Sequence, residues 1–228
     1  MRERDPEMGL ALDVTDLPAW LAPVAAAAGQ VRGSDLTRFL PPPTGGRPSA
    51  VLMLLGDGDG DEGPDLLLIE RAHSMRAHAG QPAFPGGALE PGDDGPIHAA
   101  LREAQEETAL DPRGVTPFAL LPDLWVPVSD FIVTPVMAYW HEPSPVRAAD
   151  PTEVASVHRV PIADLADPAR RMRVRHPSGY VGMGFDVAGL RVWGFTAGLI
   201  GGLLDIGGWS RPWDHDRIVD LIDGEDLA

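Results

Sequence analysis

A mixed α/β domain is the fold class this sequence predicts. Short apolar runs recur along the chain as candidate strands, helical periodicity is confined to few segments, and one helix, Ile97–Ala109, is much the clearest of these. No internal repeat is present. The 228 residues suit one domain with decoration, or at most two small ones. A chain of this size buries roughly 70% of its extended-chain surface and needs no covalent staples.

The elements follow in order. Residues 1–48 read as an extension, with an apolar-faced helix over Leu17–Ala28 and a Pro/Gly linker over Phe39–Gly46. Residues 49–210 read as the main domain and 211–228 as an acidic tail. Ser49–Leu55 is a continuous apolar run, hence a buried strand, and Leu66–Glu70 is a second. The acidic, glycine-rich stretch between them predicts a long hairpin loop. Its Asp57, Asp59 and Asp61 invite a calcium reading, but Glu62 and Leu68 stand where an EF-hand needs Gly and Glu, so a solvated turn is preferred. Further strands are expected at Val115–Leu121, Phe131–Trp140, Glu153–Val160, Met172–Arg175 and Leu190–Trp193, and helices at Thr196–Ile206 and Asp214–Asp226.

Composition excludes several chemistries. Without cysteine there is no disulfide framework, thiolate metal site or Cys nucleophile. All 18 basic residues are arginine, and without lysine there is no Walker-type phosphate loop and no Schiff base. The 34 acidic residues bring the net charge to −16, which argues against nucleic-acid binding because counterion release needs a basic surface. No apolar run approaches the ~20 residues of a membrane span, and the N-terminus lacks a signal-peptide stretch, so a cytoplasmic protein is expected.

The informative segment is residues 66–110. In the helix, Asp94 is placed to cap and Pro96 suits the first turn. Ile97, Ala100, Leu101 and Ala104 make one apolar face, leaving Glu103, Glu106 and Glu107 on the other. Like charges at i and i+4 cost a few tenths of a kcal/mol on an isolated helix, so propensity alone would not choose them. A solvated acidic face is one explanation. A divalent cation that turns repulsion into attraction is the other. The glycine pair of Phe84-Pro85-Gly86-Gly87, just upstream, favours the second, because glycines let a backbone approach a ligand closely. Arg102, four residues before Glu106, is placed to form an ion pair with it.

The stretch Gly87…Arg102-Glu103-Ala104-Gln105-Glu106-Glu107-Thr108-Ala109-Leu110 resembles the Nudix box, G-x5-E-x7-R-E-U-x-E-E-x-G-U. Asp93 stands near the first Glu with one extra residue before Arg102, and Ala109 replaces the last glycine. The longer spacing, together with Leu67-Leu68-Ile69-Glu70-Arg71, Arg76, Gly80 and Phe84-Pro85-Gly86-Gly87, is similar to the coenzyme A pyrophosphatase branch of that family. Weaker echoes, such as Val133-Thr134-Pro135, extend the resemblance over about residues 48–205.

The resemblance implies an α/β/α sandwich with a mixed sheet and a catalytic loop-helix-loop. It implies a Mg2+- or Mn2+-dependent hydrolase that cleaves coenzyme A or acyl-CoA to adenosine 3′,5′-bisphosphate and (acyl-)4′-phosphopantetheine. Glu103 and Glu107 would be metal ligands, with Glu106 a third or bound through water. Glu103 is the first candidate base, with Glu153 or a loop Asp next, and Arg102 would orient Glu106 through its ion pair. Arg71, Arg76, Gly86 and Gly87 would hold phosphate. The alternatives are the same chemistry on another nucleoside diphosphate derivative such as ADP-ribose, or a ligand-sensing module without catalysis. A homodimer is compatible with either. His73 and His78 are read as solvated or hydrogen-bonded, Trp193 and Trp209 as core residues with adenine stacking as the rival role, and Asp150 as a turn residue.

Overall fold

The computed structural model describes residues 5–12, 15–37, 39–42, 44–60, 63–74 and 79–221. The elements run β1 (Leu10–Ala11), α1 (Ala22–Ala28), α2 (Gly33–Leu36), β2 (Arg47–Gly56), β3 (Asp65–Arg71), β4 (Pro82–Ala83), β5 (Gly86–Ala88) and α3 (Pro96–Thr108). After these come β6 (Val115–Leu120), β7 (Leu124–Val126), β8 (Phe131–Trp140), β9 (Val154–Pro161), α4 (Ile162–Ala166), β10 (Arg171–Arg175), β11 (Val181–Val187), β12 (Leu190–Trp193), α5 (Gly194–Ile206) and β13 (Ile218–Asp220).

The main sheet is mixed. Its centre is a parallel ladder in which β2 and β8 pair along their whole length, from Arg47↔Phe131 to Gly56↔Trp140. β6 joins β8 antiparallel, and β3 leaves β2 through the expected hairpin at Leu55↔Leu66 and Gly56↔Asp65. β9 runs antiparallel along β3, and β5 pairs β2 at Ser49↔Ala88 through Val51↔Gly86. The continuous apolar character of β2 follows from burial on both faces. Ala50, Leu52 and Leu54 pack with Ala99, Ala100 and Ala104 of α3, whereas Met53 and Leu55 join the larger core that includes Leu199, Ile200, Leu203 and Leu204 of α5. Helices therefore cover both sides of the sheet, giving the expected α/β/α layering.

A second sheet, in the order β12-β11-β10-β13, packs beside the first. Over residues 214–221, the described part of the expected helix Asp214–Asp226, no helix is formed. Ile218–Asp220 is a strand that pairs parallel with Arg173–Arg175, and residues 222–228 lie outside the described part. Backbone pairing with β10 overrides the weak helical pattern of the tail. The strand Val181–Val187 is an addition, hidden in sequence by its two glycines. The first 48 residues supply core as well as decoration, since Leu21, Val24, Ala28 and Val31 are buried and β1 pairs with β6. The hairpin loop is tied down rather than freely solvated. Asp57 accepts hydrogen bonds from Trp20 Nε1 (2.9 Å) and Tyr139 OH (2.8 Å), and Asp59 pairs with Arg159 (2.9 Å). Asp61 lies outside the described residues.

Candidate active site

Three small side chains decide where α3 sits. Ala99, Ala100 and Ala104 are fully buried and bring the helix close to β2 and β8, while Ile97 and Leu101 pack at the edge of the contact. The helix starts at Gly95, whose φ of +87° only glycine adopts readily, and no side chain caps it. Asp94 thus does not cap as expected; the left-handed glycine turns the chain sharply into Pro96, which occupies the first turn. The helix ends at Ala109 with φ +56°, a left-handed C-cap position usually given to glycine.

The carboxylates are not all on a solvent face. Glu107 is 5% exposed, because α3 lies across the β5 loop and the end of β3. The Gly86 N–H donates to Glu107 Oε2 at 2.9 Å, and Arg71 Nη1 lies 3.8 Å from Oε1. Burial pushes the Glu107 carboxyl up to about 7; the Gly86 N–H and Arg71 oppose this, and the negative fields of Glu103 and Glu153 add to it. Glu103, one turn earlier, is backed by Gly87, where a Cβ would stand only 2.8 Å from Oε2. Burial raises its carboxyl as well, against the pull of Arg102. Gly86 meets the backbone of Ala50 and Val51 with no room for a side chain. Gly86 is therefore demanded by its close approach to the sheet, whereas a side chain at Gly87 would push the flexible Glu103 carboxyl aside.

Arg102 is the hub of the outer side. It grips Asp93 bidentately, Nε to Oδ1 at 3.1 Å and Nη2 to Oδ2 at 3.0 Å. It also donates to Glu106 Oε2 (3.0 Å) and to the Ala88 carbonyl (3.2 Å), and Nη1 lies 3.1 Å from Glu103 Oε1. The anticipated pair with Glu106 is present, but Asp93 is the principal partner. Asp93, its side chain 1% exposed, also accepts from the Glu90 N–H (2.8 Å) and lies 2.7 Å from His98 Nδ1. These contacts, Arg102 first, hold its carboxyl far below the usual carboxylate range. Asp93 thus fastens the loop after β5 to α3. Its place just before the helix was visible in sequence; its partner nine residues on was not.

Of the residues expected in the site, Arg71, Gly86, Gly87, Glu103 and Glu107 converge. Glu106 sits on the exposed side, turned to Arg102, and Arg76 and His78 lie outside the described residues. Among the described residues, no three acidic or histidine side chains are already gathered as a ligand cluster. Sequence reasoning missed a polar row beside the site, in which Ser156 Oγ donates to Glu70 Oε2 (2.7 Å), His158 Nε2 lies 2.7 Å from Ser156 Oγ, and His73 lies 3.3 Å from Glu70. The row follows from the β3–β9 register, Glu70↔Ser156, which no local pattern reveals. Trp193 stacks on His176 at 5.6 Å, and Trp209 packs against Trp20 at 6.2 Å. Asp150 accepts from the Thr152 N–H within a turn, as expected.

A pair of half-sequestered carboxylates on one helix, facing a glycine loop and an arginine, is an arrangement chemically able to hold a divalent cation beside a phosphate. The Nudix domain model matches residues 46–179. A protein named uncharacterized Nudix hydrolase NudL from Cronobacter sakazakii is 41% identical over 144 residues, covering 60% of this chain and 72% of that one. Its namesake in Salmonella paratyphi B is 47% identical over 100 residues, covering 44% of this chain and 51% of that one. Among solved structures, the Nudix hydrolase RenU from M. smegmatis aligns with TM-score 0.48 and 20% identity, over 75% of this chain and 92% of that one. The chain belongs to the Nudix family and is a Nudix hydrolase.

Proposed function

We propose that this hydrolase cleaves the pyrophosphate of coenzyme A or its thioesters, releasing adenosine 3′,5′-bisphosphate and (acyl-)4′-phosphopantetheine. The observation that carries the chemistry is the Glu103–Glu107 pair against Gly86 and Gly87. The choice of substrate rests on the upstream stretch Leu67–Arg71 with Gly80 and Phe84–Gly87, which resembles the coenzyme A branch and whose Arg71 points its guanidinium to the same carboxylate.

The residues fit a divalent cation of the Mg2+ or Mn2+ class. Their donors are hard carboxylate oxygens, and Glu107 is a buried carboxylate whose ionisation is opposed by burial and by neighbouring acids. Glu103 and Glu107 would hold the ion, with Glu106 joining directly or through water. When bound, such an ion neutralises phosphate charge and lowers the pKa of its water. The chain's own residues do the rest. Arg71 presents a cation to the substrate phosphates, which then compete with Glu107 for it. Gly86 lets the loop close on β2 and donate its N–H to Glu107, and Gly87 leaves room for the Glu103 carboxylate. Glu103, the first candidate base, takes the proton of the attacking water. Asp93 holds Arg102, and Arg102 restrains Glu103 and Glu106.

The test is a substrate panel with Mg2+ or Mn2+, with products identified by mass. Coenzyme A should be cleaved to the two phosphomonoesters named, and Glu107→Gln or Glu103→Gln should lower kcat by about 10²-fold or more. Faster turnover of ADP-ribose would overturn the substrate assignment. Unchanged turnover in Glu107→Gln would overturn the site.

A further inference from the structure

At the far end of β3 from Arg71 lies a cleft of about 320 Å³, lined by Pro64, Ile162, Ala163, Ala166, Trp209, Ser210 and Arg211. β3 separates it from the hydrolytic carboxylates by roughly 20 Å, at ~3.3 Å per residue. Most of its wall is apolar, and only one end, Ser210 and Arg211, is polar. Its volume is at the lower end of the range for small-molecule sites.

Behind the polar end sits Arg171, 2% exposed. Its Nη1 donates to Ser210 Oγ at 3.3 Å and its Nη2 contacts Met183 Sδ at 3.5 Å, while its Nε has no hydrogen-bond partner. The rings of Phe185 and Trp213 flank the guanidinium at 5.5 and 5.0 Å. Among the described residues no carboxylate lies within ion-pair distance of it, and Asp205 is the acid whose field reaches it. Burying a guanidinium without a carboxylate is costly, and the two ring faces offset only part of that cost. Ser210 accepts from it, so the hydroxyl proton is left to donate outward, polarised by the charge behind. The cleft therefore presents an apolar body-binding wall and, at one end, a polarised hydroxyl with two guanidinium charges.

We propose that this cleft is a second ligand site, distinct from the hydrolytic centre, that takes a small monocarboxylate with a compact apolar body. The carboxylate sits on Ser210 and Arg211, with Arg171 as the buried counter-charge, and the body lies against Ile162, Ala163, Ala166 and Trp209.

The full chain is titrated with cyclohexanecarboxylate, its neutral isostere cyclohexanecarboxamide and inorganic phosphate. Trp209 fluorescence and thermal shift report binding, and Trp209→Phe assigns the optical signal. The acid should bind saturably and raise Tm, with the amide about tenfold weaker, the ratio expected from loss of one charge-assisted contact. Arg211→Gln, an exposed change that leaves hydrolysis intact, and Ser210→Ala should each weaken the acid and spare the amide. Arg171→Met should abolish the preference for the acid; if it fails to fold, the Arg211 and Ser210 variants decide. Equal binding of acid and amide would overturn the proposal. So would absence of saturable binding, or phosphate binding as well as the acid. Tighter acid binding after removal of residues 222–228 would make the acidic tail the occupant and overturn it too.

Discussion

Replacing Ala109 with glycine should stabilise the protein, and the magnitude can be worked from the end of α3. Ala109 has φ +56° and ψ +23°, the left-handed conformation in which a Cβ crowds the following carbonyl. That crowding costs a non-glycine residue about 1–2 kcal/mol. Glycine removes the cost but makes the unfolded chain more flexible, which returns about 0.4–1 kcal/mol. The N–H of residue 109 still donates to the Gln105 carbonyl at 2.9 Å, so the closing hydrogen bond is kept. The net gain is about 0.5–1 kcal/mol. In a chain of this size that corresponds to a rise in Tm of roughly 2–4 °C per kcal/mol. Differential scanning calorimetry of Ala109→Gly and Ala109→Val provides the assay, with the β-branched variant expected to fall below wild type. Turnover should change little, since Ala109 lies past the end of α3, beyond the proposed carboxylate pair. A Tm for Ala109→Gly equal to or below wild type would refute the reasoning, because it would mean that the methyl group packs better than the backbone is strained.

Three further outcomes follow from the site and the hairpin loop. Gly87→Ala forces the Glu103 carboxyl aside and should cost about 100-fold in kcat with little change in Tm, the penalty for a displacement near 1 Å; steady-state kinetics beside calorimetry checks this. Asp93→Asn should lower Tm at neutral pH and flatten its acid dependence. The Asp93 carboxyl is depressed by Arg102, so its stabilisation is present above the unfolded value near 3.9 and is lost as pH falls below it. Tyr139 is raised to about 12 by burial and by its bond to Asp57, so its contribution is complete below about pH 10 and lost as pH climbs towards 12. Ultraviolet titration should show one tyrosine ionising late, a phase that disappears in Tyr139→Phe.

The parts of the fold that were legible in sequence are those fixed by local pattern. Phe131–Trp140 and Leu190–Trp193 coincide with their strands because both are apolar runs bounded by turns. Helix α3 was legible from its alanines and its glutamates together. What escaped was set by pairing at a distance. Ile218–Asp220 is a strand only because β10 offers it partners, and Gly86–Ala88 only because β2 does. In the site, the residue types were visible but their burial was not. A wheel drawn from 3.6 residues per turn puts Glu107 on the polar side; only the crossing of α3 over Gly86 and Arg71 encloses it. Asp93 looked like a misplaced acid until its clasp on Arg102 gave it a purpose.

The parallel ladder between β2 and β8 has a consequence for how the site comes into being. Arg71, Gly86, Gly87, Asp93, Arg102, Glu103 and Glu107 all belong to the single span of chain that leaves β2 at Gly56 and returns at Phe131. Until β5 finds β2, with Val51 opposite Gly86, and α3 packs across them, Gly86 and Glu107 cannot meet. Pairings this remote in sequence form slowly, since the closure entropy comes before the contacts that offset it. The carboxylate pair is thus a late product of folding. An ion captured there would act as a lock on the finished molecule, slowing its opening, and would have little power to hasten its assembly.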